Sequence, residues 1–492
     1  VDSIPDATPS AFPSDASNDP QMTGQWYLFN SSIPGTDVNA TNLWGLGIKG
    51  GCSKVAVVDD GVDTAHEDLK DNLRETSLNY NYSGQKSPPT DPSHYYSNSF
   101  HGTCVAGIIG ARDNNSIGIR GVSPRAVLVG RNLLEGTVSD ADQQDAMSRG
   151  KESIWISNNS WGATDGTGTF SSPSIPWQTG IEDGLSGGRN SKGIIFLWAA
   201  GNGSQVSITN TTEIDNSNYD SQANYYGVLA IGGVGKNGKK PYYAERGANL
   251  WVSGPTLGDD GNGILTTDRM GSSGRSSSNY YGSFNGTSAA TPMVSGVVAL
   301  LLDAFPNLNW RDVREILAKS ARKIDSSDSN WFTNGAGLTF NEKYGFGLVD
   351  AQSALKLAKT WSSITGNQLV YTSSSTTSTT IPDNNTTGIT QTIVVADSGI
   401  STIEYVEIYV SSNHTYFADI NLTLKSPSNS LVNITKKHVC NTSTCSLPTT
   451  PYRFGASSFL GESANGIWTI KAVDASASDT GNISVYLKIR GR

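Results

Sequence analysis

At 492 residues, with 44 acidic and 35 basic side chains and a formal charge of −9, the chain exceeds what one core usually supports, so two domains are expected. The acidic balance argues against nucleic acid as a partner and favours basic partners where the acids cluster. No apolar run approaches the roughly 20 residues that span a bilayer, and Val1 does not begin a signal peptide. The chain therefore reads as a mature or truncated soluble form with no membrane segment, and an anchor lost from an end stays compatible with it.

In chain order, residues 1–18 are rich in Pro, Ser, Asp and Ala and read as an N-terminal arm without a core of its own. Residues 19–364 are expected to form one α/β domain. In it the apolar runs Ser53–Val58, Val127–Arg131, Ile194–Ala199 and Val228–Gly232 alternate with helix-like segments, the signature of a parallel sheet covered on both faces. Val55–Val58 reads as a buried strand that ends at Asp59, on the edge where open α/β sheets bind ligands. Ser288 opens a small and apolar run, Ala289–Phe305, suited to a deeply packed helix whose first N–H groups would face an oxyanion. Trp310–Leu317 has amphipathic spacing. The Ser/Thr tract Thr372–Thr380 has no means of packing and reads as a linker or exposed loop. Within residues 365–492, the short alternating runs Thr402–Val410, Asp419–Leu424, Trp468–Val473 and Ile483–Ile489 lie between turn signals and predict an all-β sandwich.

Sequons at Asn30, Asn39, Asn81, Asn210, Asn413, Asn433 and Asn482 suit a glycosylated protein of the secretory pathway or the cell exterior. Cys440 and Cys445 flank a short polar turn and predict a local disulfide. Cys52 and Cys104 leave two readings open, a second disulfide or a free Cys104 thiol close to His101.

Three segments carry chemistry: Val55–Gly61, His101-Gly-Thr103 and Asn285–Pro292, which contribute the carboxylate of Asp59, the imidazole of His101 and the hydroxyl of Ser288. A serine hydroxyl is a poor nucleophile until a base takes its proton and a third group holds the imidazole tautomer, and these three residues fill those roles. The motif wording and the order Asp, His, Ser resemble the subtilase family of serine proteases. Asp59-Asp60-Gly61 and the appended β-domain resemble the kexin and furin group, the proprotein convertases.

That resemblance implies a subtilisin-like parallel sheet followed by a jelly-roll-like P domain, whose signature strands are matched by Ala418–Pro427 and Gly466–Asp474. It makes Asn202, in Ala199-Ala-Gly-Asn202-Gly, the oxyanion donor. Ser160, Trp161 and Gly162 become the strand that pairs with substrate, Asp165 and Asp220 the acids of the S1 pocket, and Asp60 the S2 acid. A cationic P1 side chain in a partly dry pocket needs such carboxylates. Asn98 and Gln143 stand where the group has further S2 and S4 acids, and Gly166 follows Asp165, so P1 recognition is expected intact and P2 and P4 relaxed. Two Ca²⁺ sites are implied. One joins Asp19, Asp68 and Asn115 with carbonyls near Arg112, Ile117 and Ile119, and the other joins Asp165, Asp215 and Glu245. Glu67 and Asp71 read as merely solvated.

The reading is a calcium-dependent, monomeric serine endopeptidase that cuts protein or peptide substrates after Arg or Lys and is freed from a cleaved propeptide. Its rivals are a broad-specificity secreted subtilase and a catalytically silent glycoprotein that binds a partner through its β-domain.

Overall fold

The structure is a computed structural model and describes residues 12–13, 18–448 and 451–492, so most of the arm expected over 1–18 lies outside the described residues. The first domain runs α1 (Thr41–Gly45), β1 (Lys54–Asp59), β2 (Tyr80–Asn81), α2 (His101–Gly110), β3 (Val127–Asn132), α3 (Asp140–Ser148), β4 (Ile156–Asn159), α4 (Ile175–Ser191), β5 (Ile195–Ala199), β6 (Val228–Val234) and β7 (Leu250–Pro255). It continues with the antiparallel pair β8 (Ile264–Thr267) and β9 (Tyr280–Phe284), then α5 (Thr287–Ala304), α6 (Trp310–Ser320), the pair β10 (Phe332–Thr333) and β11 (Thr339–Phe340), and α7 (Ala351–Lys359).

Seven strands make one parallel sheet in the order β2-β3-β1-β4-β5-β6-β7. Val55–Val58 are buried throughout, as a strand covered on both faces requires. The chain leaves β1 toward the β2 and β3 side and leaves its neighbour β4 toward β5, so the two connections diverge and open a crevice at the carboxyl ends of these strands. Behind it lies α5, buried from Thr287 to Leu302. It is long and apolar enough to cross a membrane, the one such helix among the described residues, yet 83% of that window is buried inside the protein, as in a core helix.

The second domain comprises β12 (Leu369–Thr372), β13 (Thr379–Ile381), β14 (Ile389–Val395), β15 (Ile403–Ser412), β16 (Ile420–Lys425), β17 (Leu431–Thr435), β18 (Tyr452–Ala456), β19 (Gly466–Asp474) and β20 (Gly481–Gly491). One sheet has the order β12-β20-β15-β18, with β13 also on β20, and the other β14-β19-β16-β17. Strict alternation along β20 turns Ile483, Val485, Leu487 and Ile489 into the core between them. That core also takes in Phe170, Tyr219 and Ala248 from the first domain.

Three sequence readings are refined. The Ser/Thr tract is in its middle, residues 373–378, a mostly exposed loop as expected, but it is tied to the sheet. Its ends pair with β20, and between them Ser373 and Thr376 donate their N–H to Leu487 and Val485 while their hydroxyls accept the N–H of the same two residues. Short hydroxyl side chains thus complete a sheet ladder that the backbone alone leaves open. Cys440 and Cys445 are bonded, but Cys52 is exposed and Cys104 buried, both as free thiols, so the second disulfide is not formed. The sequon residues Asn30, Asn39 and Asn81 are buried, their amides donating to Thr36 Oγ1, Asp350 Oδ1 and Asp91 O. These three are structural, while Asn210 and Asn413 are exposed.

Candidate active site

Asp59 closes β1 fully buried, and its Oδ1 accepts the His101 Nδ1–H at 2.8 Å and the Asp60 N–H at 2.8 Å. Burial presses the imidazole pKa down, but the Asp59 charge and hydrogen bond outweigh it and push it up to about 9. His101 is the first residue of α2, and a Cβ on the next residue, Gly102, would lie 2.1 Å from Gly61 O. Only glycine lets the helix start so close to β1.

Asp60 caps that helix: Oδ2 accepts the N–H of Phe100 and of His101, each at 3.1 Å, and Oδ1 that of Gly102 at 2.7 Å. The expected S2 acid therefore spends its oxygens on holding His101 in place. His94, which the sequence did not single out, clasps the same corner through Asp60 O and Thr103 Oγ1, both at 2.8 Å. The scarcity of histidine, five in the chain, was the available signal.

Ser288 is the second residue of α5. Pro292 has no N–H to offer the Ser288 carbonyl four residues back, and Ser160 Oγ donates to that carbonyl instead at 3.1 Å. Ser288 Oγ donates in return to Ser160 O at 2.9 Å, rather than to His101. A helix proline thus creates the tie between α5 and the Ser160–Gly162 segment that extends β4. Trp161 anchors this segment further, its Nε1–H donating to Val58 O at 3.0 Å. Asn202 follows β5. Its Oδ1 accepts the Thr287 N–H at 2.7 Å and the Thr287 hydroxyl at 3.0 Å, which turns Nδ2 to the cavity, where it donates to Asp165 Oδ2 at 3.4 Å.

The cavity, of about 210 Å³, is walled by Ser160–Asp165, Asn202 and Ser288 and floored by Asp215, Asp220 and Glu245; among the described residues no basic side chain lines it. Asp220 accepts the Ala163 N–H at 2.8 Å and the Gln222 N–H at 2.9 Å. Asp215 accepts three N–H groups from Gly166, Thr167 and Gly168, the last at 2.6 Å. Glu245 accepts the Gly203 N–H at 3.0 Å. Asp165 stands exposed at the mouth, taking the Asn202 N–H at 2.8 Å. Burial pushes Asp215 up to about 6 against its three donors, and raises Asp220 and, with help from Asp215 and Asp165, Glu245.

The second predicted cluster is closed in part by protein donors. Asp19 is paired with the buried Arg120, a partner 101 positions away that carries no local sequence signal. Asp68, fully buried, is met by Asn115 Nδ2 at 2.7 Å and by the Ile119 N–H at 2.9 Å, and burial pushes its carboxyl up to about 7. The Ile117 N–H donates to Asn115 Oδ1 at 3.1 Å, and Arg112 reaches Asn72 through its guanidinium at 2.8 Å. A buried carboxyl met only by neutral donors fits a cation, whereas Asp19 already has one. Glu67 accepts from Asn279 and Tyr280 and is not merely solvated. In the second domain the compact His414, Asp474 and Asp479 group is satisfied without an ion: His414 Nε2–H donates to Asp474 at 3.2 Å and Nδ1 accepts the Tyr416 N–H at 3.3 Å.

Residues 50–347 match a family model described as Subtilase family, and residues 403–487 one described as Proprotein convertase P-domain. Kexin of Candida albicans is 31% identical over 480 residues, covering 94% of this chain and 49% of that protein. The dibasic-processing endoprotease of Schizosaccharomyces pombe is 35% identical over 349 residues, covering 70% of this chain and 46% of that protein. The serine protease of Aeromonas sobria, solved in complex with the chaperone ORF2, superposes with a TM-score of 0.85 at 26% identity, covering 97% of this chain and 95% of that one. This chain spans about half the length of the two fungal relatives. The first matched stretch contains Asp59, His101, Asn202 and Ser288, and the chain belongs to the subtilase family, in the form that carries a proprotein convertase P-domain.

Proposed function

We propose that the chain is a calcium-dependent serine endopeptidase of the secretory route that cuts proteins or proproteins after Arg or Lys. The observation that carries this reading is the cavity beside Ser288, lined by four carboxylates and, among the described residues, no basic side chain. A guanidinium or ammonium entering it meets carboxylates that pair with its charge, whereas an aliphatic side chain leaves them unpaired. The name of the fission-yeast relative points the same way.

Substrate backbone pairs along Ser160–Gly162, which sets the scissile carbonyl over Ser288. Ser288 Oγ turns from Ser160 O to His101 Nε2, the imidazole takes its proton, and the Oγ–C bond forms. Asn202 Nδ2 and the first N–H groups of α5 receive the oxyanion. His101 then gives the proton to the leaving amine as the C–N bond breaks. Water, with its proton passing to the same imidazole, opens the ester, and the returning proton restores the hydroxyl. Asp165, Asp215 and Glu245, and Asp68 with Asn115 and Asp19, would hold Ca²⁺, which would supply positive charge to the buried Asp215, Glu245 and Asp68, whereas Asp19 already has Arg120. A propeptide or dedicated folding partner belongs to this reading, by analogy with the chaperone complex of the Aeromonas protease.

A mixed peptide library read by mass spectrometry tests the specificity. Cuts after Arg or Lys are expected, with single basic residues accepted because Asn98 and Gln143 replace acids. Asp220→Asn is expected to cost P1-Arg substrates about 100-fold in kcat/KM relative to P1-Leu, about 3 kcal/mol for unpairing a buried charge. Cuts after apolar residues would make the protein a broad subtilase, and a folded protein that cuts nothing would be a binding protein. Chelation is the second check. EDTA is expected to lower the Tm and added Ca²⁺ to restore it, by RT ln(1 + [L]/Kd), or about 2.7 kcal/mol at 100 Kd. An identical melt with and without chelator would remove calcium from the reading.

A further inference from the structure

The acids of the cavity do not stand on the first domain alone. The loop that delivers three N–H groups to Asp215, Gly166–Gly168, is gripped from behind by the segment between β17 and the Cys440–Cys445 bridge. His438 Nε2 meets Gly168 O at 2.9 Å, the Asn441 N–H donates to Thr167 O at 2.9 Å, and the Val439 N–H donates to Glu213 O at 3.0 Å. The fit leaves no room: Gly168 has φ +68°, and a Cβ there would lie 2.0 Å from Val439 O.

The His438 ring lies over Tyr219 at 4.5 Å between centroids, with Tyr219 Oη 3.1 Å from Nδ1. Phe170, two residues past Gly168, is enclosed by Tyr219, His438, Phe417, Tyr452 and Phe454. Asp220, an S1 acid, is held likewise. Asn218, two residues before Asp220, exchanges two hydrogen bonds with Gly455, at 2.7 and 3.0 Å, and Arg453 donates to Ser221 O at 2.7 Å. The loop that feeds amides to Asp215 and the loop that carries Asp220 are therefore both held by side chains and backbone of the second domain.

We propose that His438 is a positioning residue for P1 selection: through Gly168 it fixes the Gly166–Gly168 amides on Asp215, so that the second domain sets the geometry in which a cationic side chain is bound. This is narrower than a stabilising role, because it assigns the second domain a share in binding rather than in the melt. It rests on the reading of the cavity as the seat of a basic P1 residue.

The test uses the full chain and two readouts, amide hydrogen exchange of residues 166–168 and steady-state kinetics on a P1-Arg peptide. His438→Ala is expected to speed exchange at those amides and to raise KM about 10-fold, the worth of one buried hydrogen bond, with kcat and fluorophosphonate labelling of Ser288 near wild type. His438→Gln, whose amide can still donate to Gly168 O, is expected to recover most of both. Unchanged exchange in His438→Ala overturns the proposal, as does an equal fall in labelling, kcat and kcat/KM that glutamine fails to rescue. Tyr219→Phe, which keeps the ring stacked and removes only the hydroxyl, decides the matter if His438→Ala does not fold: a raised KM at constant kcat supports the clamp, and wild-type KM and exchange overturn it. A wild-type enzyme without preference for P1-Arg would overturn the specificity reading, and the exchange experiment would still decide the clamp.

Discussion

Ser288→Ala is expected to lower kcat by about 10⁶, to the residual level that binding and oxyanion stabilisation sustain without a nucleophile. The expectation follows from where the hydroxyl sits. Ser288 is buried at the start of α5, one turn ahead of the proline that frees its carbonyl, and its Oγ has a single partner, Ser160 O at 2.9 Å. Removing that hydrogen bond costs about 1 kcal/mol, so the variant should fold, bind P1-Arg peptides and melt close to wild type. Activity within 100-fold of wild type in a preparation free of contaminating protease would show that another group attacks the carbonyl.

Asp59→Asn is the second large effect, about 10⁴ in kcat, because an amide offers the imidazole the wrong tautomer. Its signature lies in pH. Neutral His101 is the base, so wild-type kcat/KM rises with pH through the imidazole pKa, which Asp59 pushes up to about 9. Without that carboxylate only burial acts strongly on the ring, and the rising limb should move to lower pH even as the plateau falls. The stability effect has the opposite sense. A histidine whose pKa in the fold exceeds the ordinary 6.5 contributes stability that is fully present below 6.5 and is lost as pH rises through about 9. The gap in unfolding free energy between wild type and Asp59→Asn should therefore narrow between pH 6 and pH 9.5. A gap that stays constant over this range, or a limb that does not move, would mean that Asp59 does not govern the protonation of His101.

The pairing of Asp59 with His101 and the place of Ser288 were legible because each residue sits in a short motif whose small residues answer a local constraint: Gly102 beside Gly61 O, and Ser288 with Ala289 and Ala290 at the start of α5. The parallel sheet was legible for a related reason, since strands buried on both faces become continuous apolar runs such as Val55–Val58. What stayed hidden depends on partners far along the chain. Nothing near Asp19 announces Arg120, and nothing in Asn30-Ser-Ser or Asn39-Ala-Thr distinguishes a glycan acceptor from an asparagine that ties two loops together. The loop of the Ser/Thr tract was legible, but its ties to β20 were not, because hydroxyls bonding along a strand edge and hydroxyls in solvent have the same composition. Asp60 shows the same limit from another side: its motif marks the position, while the use of its oxygens as a helix cap appears only in three dimensions.

The burial of α5 has a consequence for how the molecule comes into being. Its 18 residues are long and apolar enough to cross a membrane by length and composition, and in the finished fold 83% of that window is buried. While the sheet and α2 are still unassembled, the newly made chain displays that stretch to membranes and to other copies of itself, the circumstance in which long proteins aggregate. Escape from this hazard is a race, run between closure of the core over α5 and its capture by any apolar surface within reach. A helper that binds early and shields this one segment would change the yield of active protein without touching a single residue of the mature active site.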